Sequence, residues 1–158
     1  MSDSEVADAL VQTIESEGRC VADEALERMV RAIGGFPFMM QLVGFRSWDV
    51  RPDERMLAVE DAVRGIRLAQ ADLDQRVLEP TFFELSDGDR AFLQAMLPDD
   101  QSSRIGEIAE RMGVTSNYAS KYRARLIEQG IIGTRGRGVV AFEMPHVREF
   151  LAEKIADL

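Results

Sequence analysis

Two short apolar-striped segments separated by one glycine, then two β-rich runs joined by an Arg-Gly-Arg-Gly turn, leave this chain few folds to choose from. The run Arg104-Ile105-Gly106-Glu107-Ile108-Ala109-Glu110-Arg111-Met112-Gly113 places apolar side chains at 105, 108, 109 and 112, the spacing of one helix face. Gly113 supplies the backbone freedom of a sharp helix end. Thr115 or Ser116 then caps a second helix, with Ala119, Tyr122, Leu126 and Ile127 on one side. Gly130 stops it. Ile131-Ile132 and Val139-Val140-Ala141-Phe142 read as strands around the turn Arg135-Gly136-Arg137-Gly138. This pattern predicts a helix-turn-helix followed by a two-stranded wing, a shape able to place its second helix in a groove of duplex DNA.

Composition narrows the classes. The chain has 158 residues, 46% hydrophobic and 30% charged, enough for a folded core. No apolar run approaches the roughly 20 residues that span a bilayer, and the acidic start Met1-Ser2-Asp3-Ser4-Glu5 is unlike a signal peptide. A soluble cytoplasmic protein with no membrane partner is expected. One Cys and one His exclude a disulfide framework within the chain and the usual zinc ligand set. The formal charge is −9, and its distribution matters more. Residues 1–85 hold 9 Lys/Arg against 17 Asp/Glu, net −8. Residues 111–137 hold six basic side chains (Arg111, Lys121, Arg123, Arg125, Arg135, Arg137) and one acidic, Glu128, net +5. A polyanion responds to the local field, so the second helix and wing form the attractive face.

Upstream, periodicity predicts helices over 4–17 (Val6, Leu10, Thr13 and Ile14 towards one side), 22–33 (Leu26, Met29, Val30, Ile33) and 37–49. The third is apolar on most sides and is expected to be buried between neighbours. A long helix over 58–79 follows, with Val59, Val63, Ile66, Leu73 and Val77 as its inner stripe, and Pro80 breaks it. Ser86 caps a helix to about 97, with Phe92, Leu93, Met96 and Leu97 inward. Pro145 opens a last one. The predicted fold is mainly α: a four-helix lid-like bundle over residues 1–80, then a winged helix-turn-helix with a small β-hairpin over 81–158.

Two blocks together resemble a known family. Gly34-Gly35-Phe36-Pro37-Phe38-Met39-Met40-Gln41-Leu42-Val43-Gly44 is similar to the Gly-x-Pro segment in the helical lid of AAA+-related signal-transducing (STAND) ATPases. Leu85-Ser86 through Phe150 resembles the winged helix that follows it in prokaryotic, origin-recognition-like members. The endings Arg125-Leu126-Ile127-Glu128-Gln129-Gly130-Ile131-Ile132 and Met144-Pro145-His146-Val147-Arg148-Glu149-Phe150-Leu151 carry the likeness as well. The resemblance implies that Gly35 and Pro37 sit against nucleotide, with the following helix N-terminus lending partial positive charge. The same Gly-Gly-x-Pro is also an ordinary helix–helix junction. The chain departs from the family decisively: it has no Gly-x-x-x-x-Gly-Lys-Ser/Thr loop to cradle phosphates and no alternating strands and helices of a nucleotide-binding core. It resembles the C-terminal portion of a bacterial ATPase, either a piece of one or a separate short product. No enzymatic activity is expected from it alone. Its own chain is expected to hold no cofactor, with ATP or ADP belonging to a full-length ATPase.

On the second helix, a rotation of 100° per residue puts Asn117 and Lys121 opposite Ala119, Tyr122 and Leu126, flanked by Ser116, Tyr118, Ser120 and Arg125. Asn and Lys suit base edges, and hydroxyls suit phosphates. Arg135 and Arg137 straddle Gly136 at the wing tip. These eight residues are the candidate contacts to double-stranded DNA. Two alternatives stand beside DNA binding: a stand-alone winged-helix transcription regulator, for which a homodimer is expected, and a docking module for a protein partner or an upstream ATPase core. Cys20, placed in a turn, is not expected to act as a nucleophile, and His146, at a helix start, is expected to be structural. Trp48 and the Phe/Met cluster of residues 36–45 are expected to be core.

Overall fold

Ser2 and Glu5 start the first helix by bonding each other's backbone: the Glu5 carboxylate accepts from Ser2 N–H at 2.8 Å, and Ser2 Oγ accepts from Glu5 N–H at 3.3 Å. Helix α1 (Asp3–Ser16) then buries Val6, Leu10 and Ile14. Strand β1 (Cys20–Val21) precedes α2 (Asp23–Ile33), which ends at Gly34 in the left-handed conformation with φ of 57°. Helix α3 (Pro37–Val50), β2 (Met56–Leu57) and α4 (Val59–Leu73) complete the first unit. A computed structural model describes residues 1–156 of the chain; it is mainly helical, and its contacts fall into two compact units, Met1–Arg76 and Val77 onward.

Three expectations for the first unit are corrected. The stripe of α4 is not Val59, Val63 and Ile66. The buried positions are Asp61, Ala62, Gly65, Ala69 and Leu73, and Val63 is exposed. Small residues win this face because α3 lies close against it. A Cβ at Gly65 would collide with the backbone and side chain of Ser47, itself fully buried on α3. Helix α3, expected to be buried nearly all round, buries only Met39, Val43 and Ser47 and leaves Phe38 and Phe45 exposed. Cys20 lies in a strand rather than a turn, where β1 and β2 pair in parallel (Cys20 with Met56, Val21 with Leu57).

A buried arginine and a buried aspartate fasten these helices together. Arg19, 7% exposed, stacks over Trp48 with its guanidinium 4.4 Å from the ring centroid. It donates to the Trp48 and Arg51 carbonyls, each at 3.1 Å, satisfying the end of α3. Arg51 in turn grips Asp61 through two bonds of 2.7 and 2.9 Å, and Asp61 accepts from Ala58 N–H at the start of α4. The Arg51 bonds, foremost, hold the Asp61 carboxyl below its ordinary pKa.

Beyond α4, residues Asp74–Leu78 adopt a π-helical turn before α5 (Glu79–Glu84). Pro80 was expected to end a helix. Instead it sits in the first turn of α5. A proline inside a regular helix clashes with the carbonyl four residues back, and a wider turn relieves that clash.

The second unit contains α6 (Asp87–Met96), β3 (Ser103–Arg104), α7 (Ile105–Met112), α8 (Ser116–Glu128), β4 (Ile132–Thr134), β5 (Val139–Phe142) and α9 (Val147–Ala156). The expected two-stranded hairpin is a three-stranded antiparallel sheet in the order β3-β5-β4. Ser103 pairs with Val140 and Arg104 with Val139. Strand β3 has only two residues, too few for alternation to show. Phe92, Leu93, Met96, Ile108, Leu126, Ile132, Val140 and Phe150 form the core. Arg111 closes α7 onto the end of α6: it donates to the Ala95 carbonyl and makes two bonds of 2.7 and 2.8 Å to Asp99. Those bonds hold the Asp99 carboxyl down at about 2, from an ordinary 3.8.

Two measurements test this packing. Gly65→Ala is expected to destabilise by about 1–3 kcal/mol through overpacking. Gly44→Ala, whose Cβ would meet only the Leu10 side chain at 3.6 Å, is expected to gain about 0.5–1 kcal/mol from helix preference. Chemical denaturation that ranks the two the other way would refute the close α3–α4 approach. A carboxyl with a lowered pKa stabilises the fold above its ordinary value, and that contribution fades as pH falls towards the folded value. For Asp99 the window runs from 3.8 to about 2. Melting temperature is expected to drop across it, and Asp99→Asn to flatten the drop; an unchanged slope in the variant would assign the acid loss to other carboxylates.

Candidate functional site

Local chemistry shapes the segment from α7 to the hairpin. Gly113, with φ of 68°, ends α7, and Val114 N–H returns to the Ala109 carbonyl at 3.0 Å. Thr115 caps α8, its Oγ1 accepting from Tyr118 N–H at 3.2 Å. At the hairpin tip Arg135 N–H donates to the Val139 carbonyl at 2.9 Å, and Gly136 and Gly138 take φ of 127° and 71°. Ile105 N–H donates to the Gly138 carbonyl at 2.9 Å, so the tip is fastened to the first residue of α7. That bond brings Arg104 beside Arg137. Both line an open groove of about 580 Å³, together with Glu107 and Glu110. Nothing local marks Arg104 in the sequence, since its place beside the hairpin tip comes from the pairing of β3 with β5.

Of the eight candidate residues for DNA, Ser116, Asn117, Tyr118, Lys121, Arg125, Arg135 and Arg137 are exposed and Ser120 is half-buried. Ser120 Oγ donates to the Ser116 carbonyl, as a serine within a helix commonly does. Tyr118 packs edge-on against Tyr122, with ring centroids 5.6 Å apart, and Lys121 lies 5.5 Å from the Tyr118 ring. The Tyr122 hydroxyl donates to that of Tyr118, which raises the Tyr122 pKa.

Exposure does not make a cation available. Arg125, expected on the flank of the open face, turns to α6. Its Nε and Nη2 donate to Asp89 at 3.0 and 2.7 Å, and Nη2 also reaches Ser86 Oγ at 2.9 Å. The reason is electrostatic. Asp89 is 2% exposed, where it caps α6 through Ser86, and a buried carboxylate requires a counter-charge. Burial is the largest single influence on Asp89 and acts to raise its pKa, but the Ser86 and Arg125 bonds together outweigh it and the net shift is downward. Tyr122 reaches the same place, and Gly88 leaves it room: a Cβ there would run into the Tyr122 ring. Arg135 is likewise engaged, by Glu143 at 2.7 Å. With Arg111 on Asp99, three of the six basic side chains of residues 111–137 are ion-paired. Lys121, Arg123 and Arg137 keep no ion-pair partner among the described residues.

The second candidate cluster lies in the first unit. Gly35 has φ of 78°, and Pro37 opens α3 behind Phe36, whose side chain makes no capping bond. The backbone approach that Gly35 permits is taken by Met1: its ammonium donates to the Gly35 carbonyl at 3.2 Å, and a Cβ at position 35 would collide with the Met1 carbonyl. Pro37 is exposed. These two residues and the cluster on α8 share one property. Among the described helices, α3 and α8 alone carry no Asp or Glu in the first turn.

No helix among the described residues is long and apolar enough to cross a membrane. None of the curated proteins matches the sequence. Two solved structures, both variants of Thermotoga maritima RuvB, align with 92% of this chain at 15% identity and a TM-score of 0.44; the chain spans about half their length, 47%. Residues 75–151 match a family described as "Domain of unknown function (DUF8462)".

Proposed function

We propose that the second unit is a winged helix that contacts duplex DNA, and that the first is a lid-like bundle of an AAA+-related ATPase whose nucleotide-binding core lies outside this chain. One observation carries the DNA reading. In a chain of net charge −9, the first turn of α8 is free of carboxylates and exposes Ser116, Asn117 and Tyr118, with Lys121 exposed in the next turn. Arg137 stands exposed at the hairpin tip. A helix start without acidic side chains keeps its partial positive charge available to phosphate. The helix offers side chains of the right type to base edges, and the tip offers an arginine to the backbone or minor groove.

The lid reading rests on the resemblance of the Gly-Gly-Phe-Pro segment. It is supported by the exposed Pro37 at a second helix start without carboxylates. By itself the chain would supply half of a nucleotide site and no phosphate loop, so it would not hydrolyse ATP. A change of nucleotide in the missing core would then reposition the DNA-contacting unit as a rigid body. The rival reading, docking on protein, draws on Glu107 and Glu110 beside Arg104 and Arg137: that groove is mixed in charge, as protein contacts often are.

Fluorescence anisotropy of a labelled duplex across a salt series separates these readings. Binding to phosphate makes affinity fall steeply as salt rises. Lys121→Glu and Arg137→Glu are each expected to lower affinity about tenfold or more, since each reverses a charge at the interface. Arg135→Glu is expected to do less, because its charge is already opposed by Glu143. Arg125→Ala is expected to lower thermal stability while leaving the salt slope nearly unchanged. Equal losses from all four variants, or no duplex binding at micromolar protein, would refute the DNA reading in favour of docking.

A further inference from the structure

The groove between α1 and α3 plays no part in the proposed DNA contact. It is a cleft of about 290 Å³ lined mainly by Leu10, Ile14, Met40, Gly44, Phe45 and Trp48. Phe45 is 61% exposed at its edge. Phe45 and the half-buried Trp48 carry the apolar lining of the cleft out to its rim. Gly44 lowers one wall, beside the Leu10 side chain.

The charge around this cleft indicates its occupant. The two helices run in the same direction: Met1 meets Gly35 at one end, and Arg19 reaches the Trp48 and Arg51 carbonyls at the other. Both helix C-termini, with their partial negative charge, therefore lie at the same end of the cleft. Glu17 and Asp49 are exposed there. Residues 1–18 contain five acidic side chains and no Lys or Arg. Among the arginines near this end, Arg19 is committed to carbonyls, Arg46 to Asp72 and Arg51 to Asp61, and the exposed Arg55 is outnumbered by the exposed Asp53 and Glu54 beside it in the chain. The result is an apolar floor inside a negative frame.

We infer that the α1–α3 groove binds a cationic amphipathic helix of a partner protein, its apolar side chains in the cleft and its Lys or Arg residues over the acidic end. This is the helix-in-groove mode, in which a few apolar anchors supply affinity and charges set orientation. The inference stands independently of DNA binding.

Trp48 is the sole tryptophan, so its fluorescence reports occupancy of this cleft directly. The probe is a synthetic helical peptide with leucines on one face and lysines on the other; in the control peptide glutamates replace the lysines. With the full chain, the lysine peptide is expected to shift Trp48 emission saturably, with affinity falling as salt rises. The glutamate peptide is expected to have no effect. Phe45→Ala is expected to weaken binding about tenfold, the loss of one apolar anchor. Because that side chain is mostly exposed, circular dichroism is expected to be unchanged. Glu17→Lys with Asp49→Lys is expected to weaken binding similarly, whereas Glu128→Lys, on α8, leaves it intact. No change in Trp48 emission, an equal response to both peptides, or indifference to Phe45→Ala would overturn the inference. So would sedimentation showing a dimer that Phe45→Ala dissociates, because a second copy would then cover the face.

Discussion

Each unit depends on an aspartate buried at the third position of a helix and gripped by an arginine from another element. Asp61 begins α4 and is held by Arg51, and Asp89 begins α6 and is held by Arg125. In both cases the carboxylate also accepts a backbone N–H at the helix start, so it satisfies a donor that would otherwise be orphaned. The arrangement is self-reinforcing. The cap requires the carboxylate, burial of the carboxylate requires a cation, and the cation fixes how the neighbouring element sits. Removing the arginine would leave an uncompensated buried charge, which is why such pairs resist change even when they add little net stability.

This constraint limits the functional surface. The run of basic residues from 111 to 137 suggests a strongly positive face, yet Arg111, Arg125 and Arg135 are turned to Asp99, Asp89 and Glu143. What remains for a ligand is a narrower feature: Lys121 and the polar first turn of α8, with Arg137 and Arg104 near the hairpin tip. The same economy shapes the first unit, where Arg19 is engaged by backbone carbonyls, Arg46 by Asp72 and Arg51 by Asp61. The two proposed partners are accordingly opposite in charge, a polyanion for α8 and a cationic helix for the α1–α3 groove.

Much of the fold was legible because its determinants are local. Ser86 and Thr115 cap helices within three residues of themselves, and Gly34 and Gly113 end helices by a backbone conformation other residues resist. The apolar stripes of α1, α2 and α6 could be read by period. What escaped was non-local. Strands β1, β2 and β3 have two residues each and exist only through their partners. The buried face of α4 was misread because Val63 is more apolar than Gly65, while closeness to Ser47 favoured the glycine. The outward face of α8 was predicted from helical rotation, and Asn117 and Lys121 are exposed as expected. The commitment of Arg125 was not, since Asp89 lies 36 residues away in the chain.

By itself, then, the sequence determined the mainly helical class, most helix starts, and the order of helices followed by a short hairpin. These follow from caps, turns and periodicity acting over a few residues. Tertiary structure alone decided which helix faces meet, where the third strand pairs, and which cations are spent on buried carboxylates. Those outcomes depend on desolvation and steric fit between residues far apart in the chain, and no window of neighbouring residues contains them.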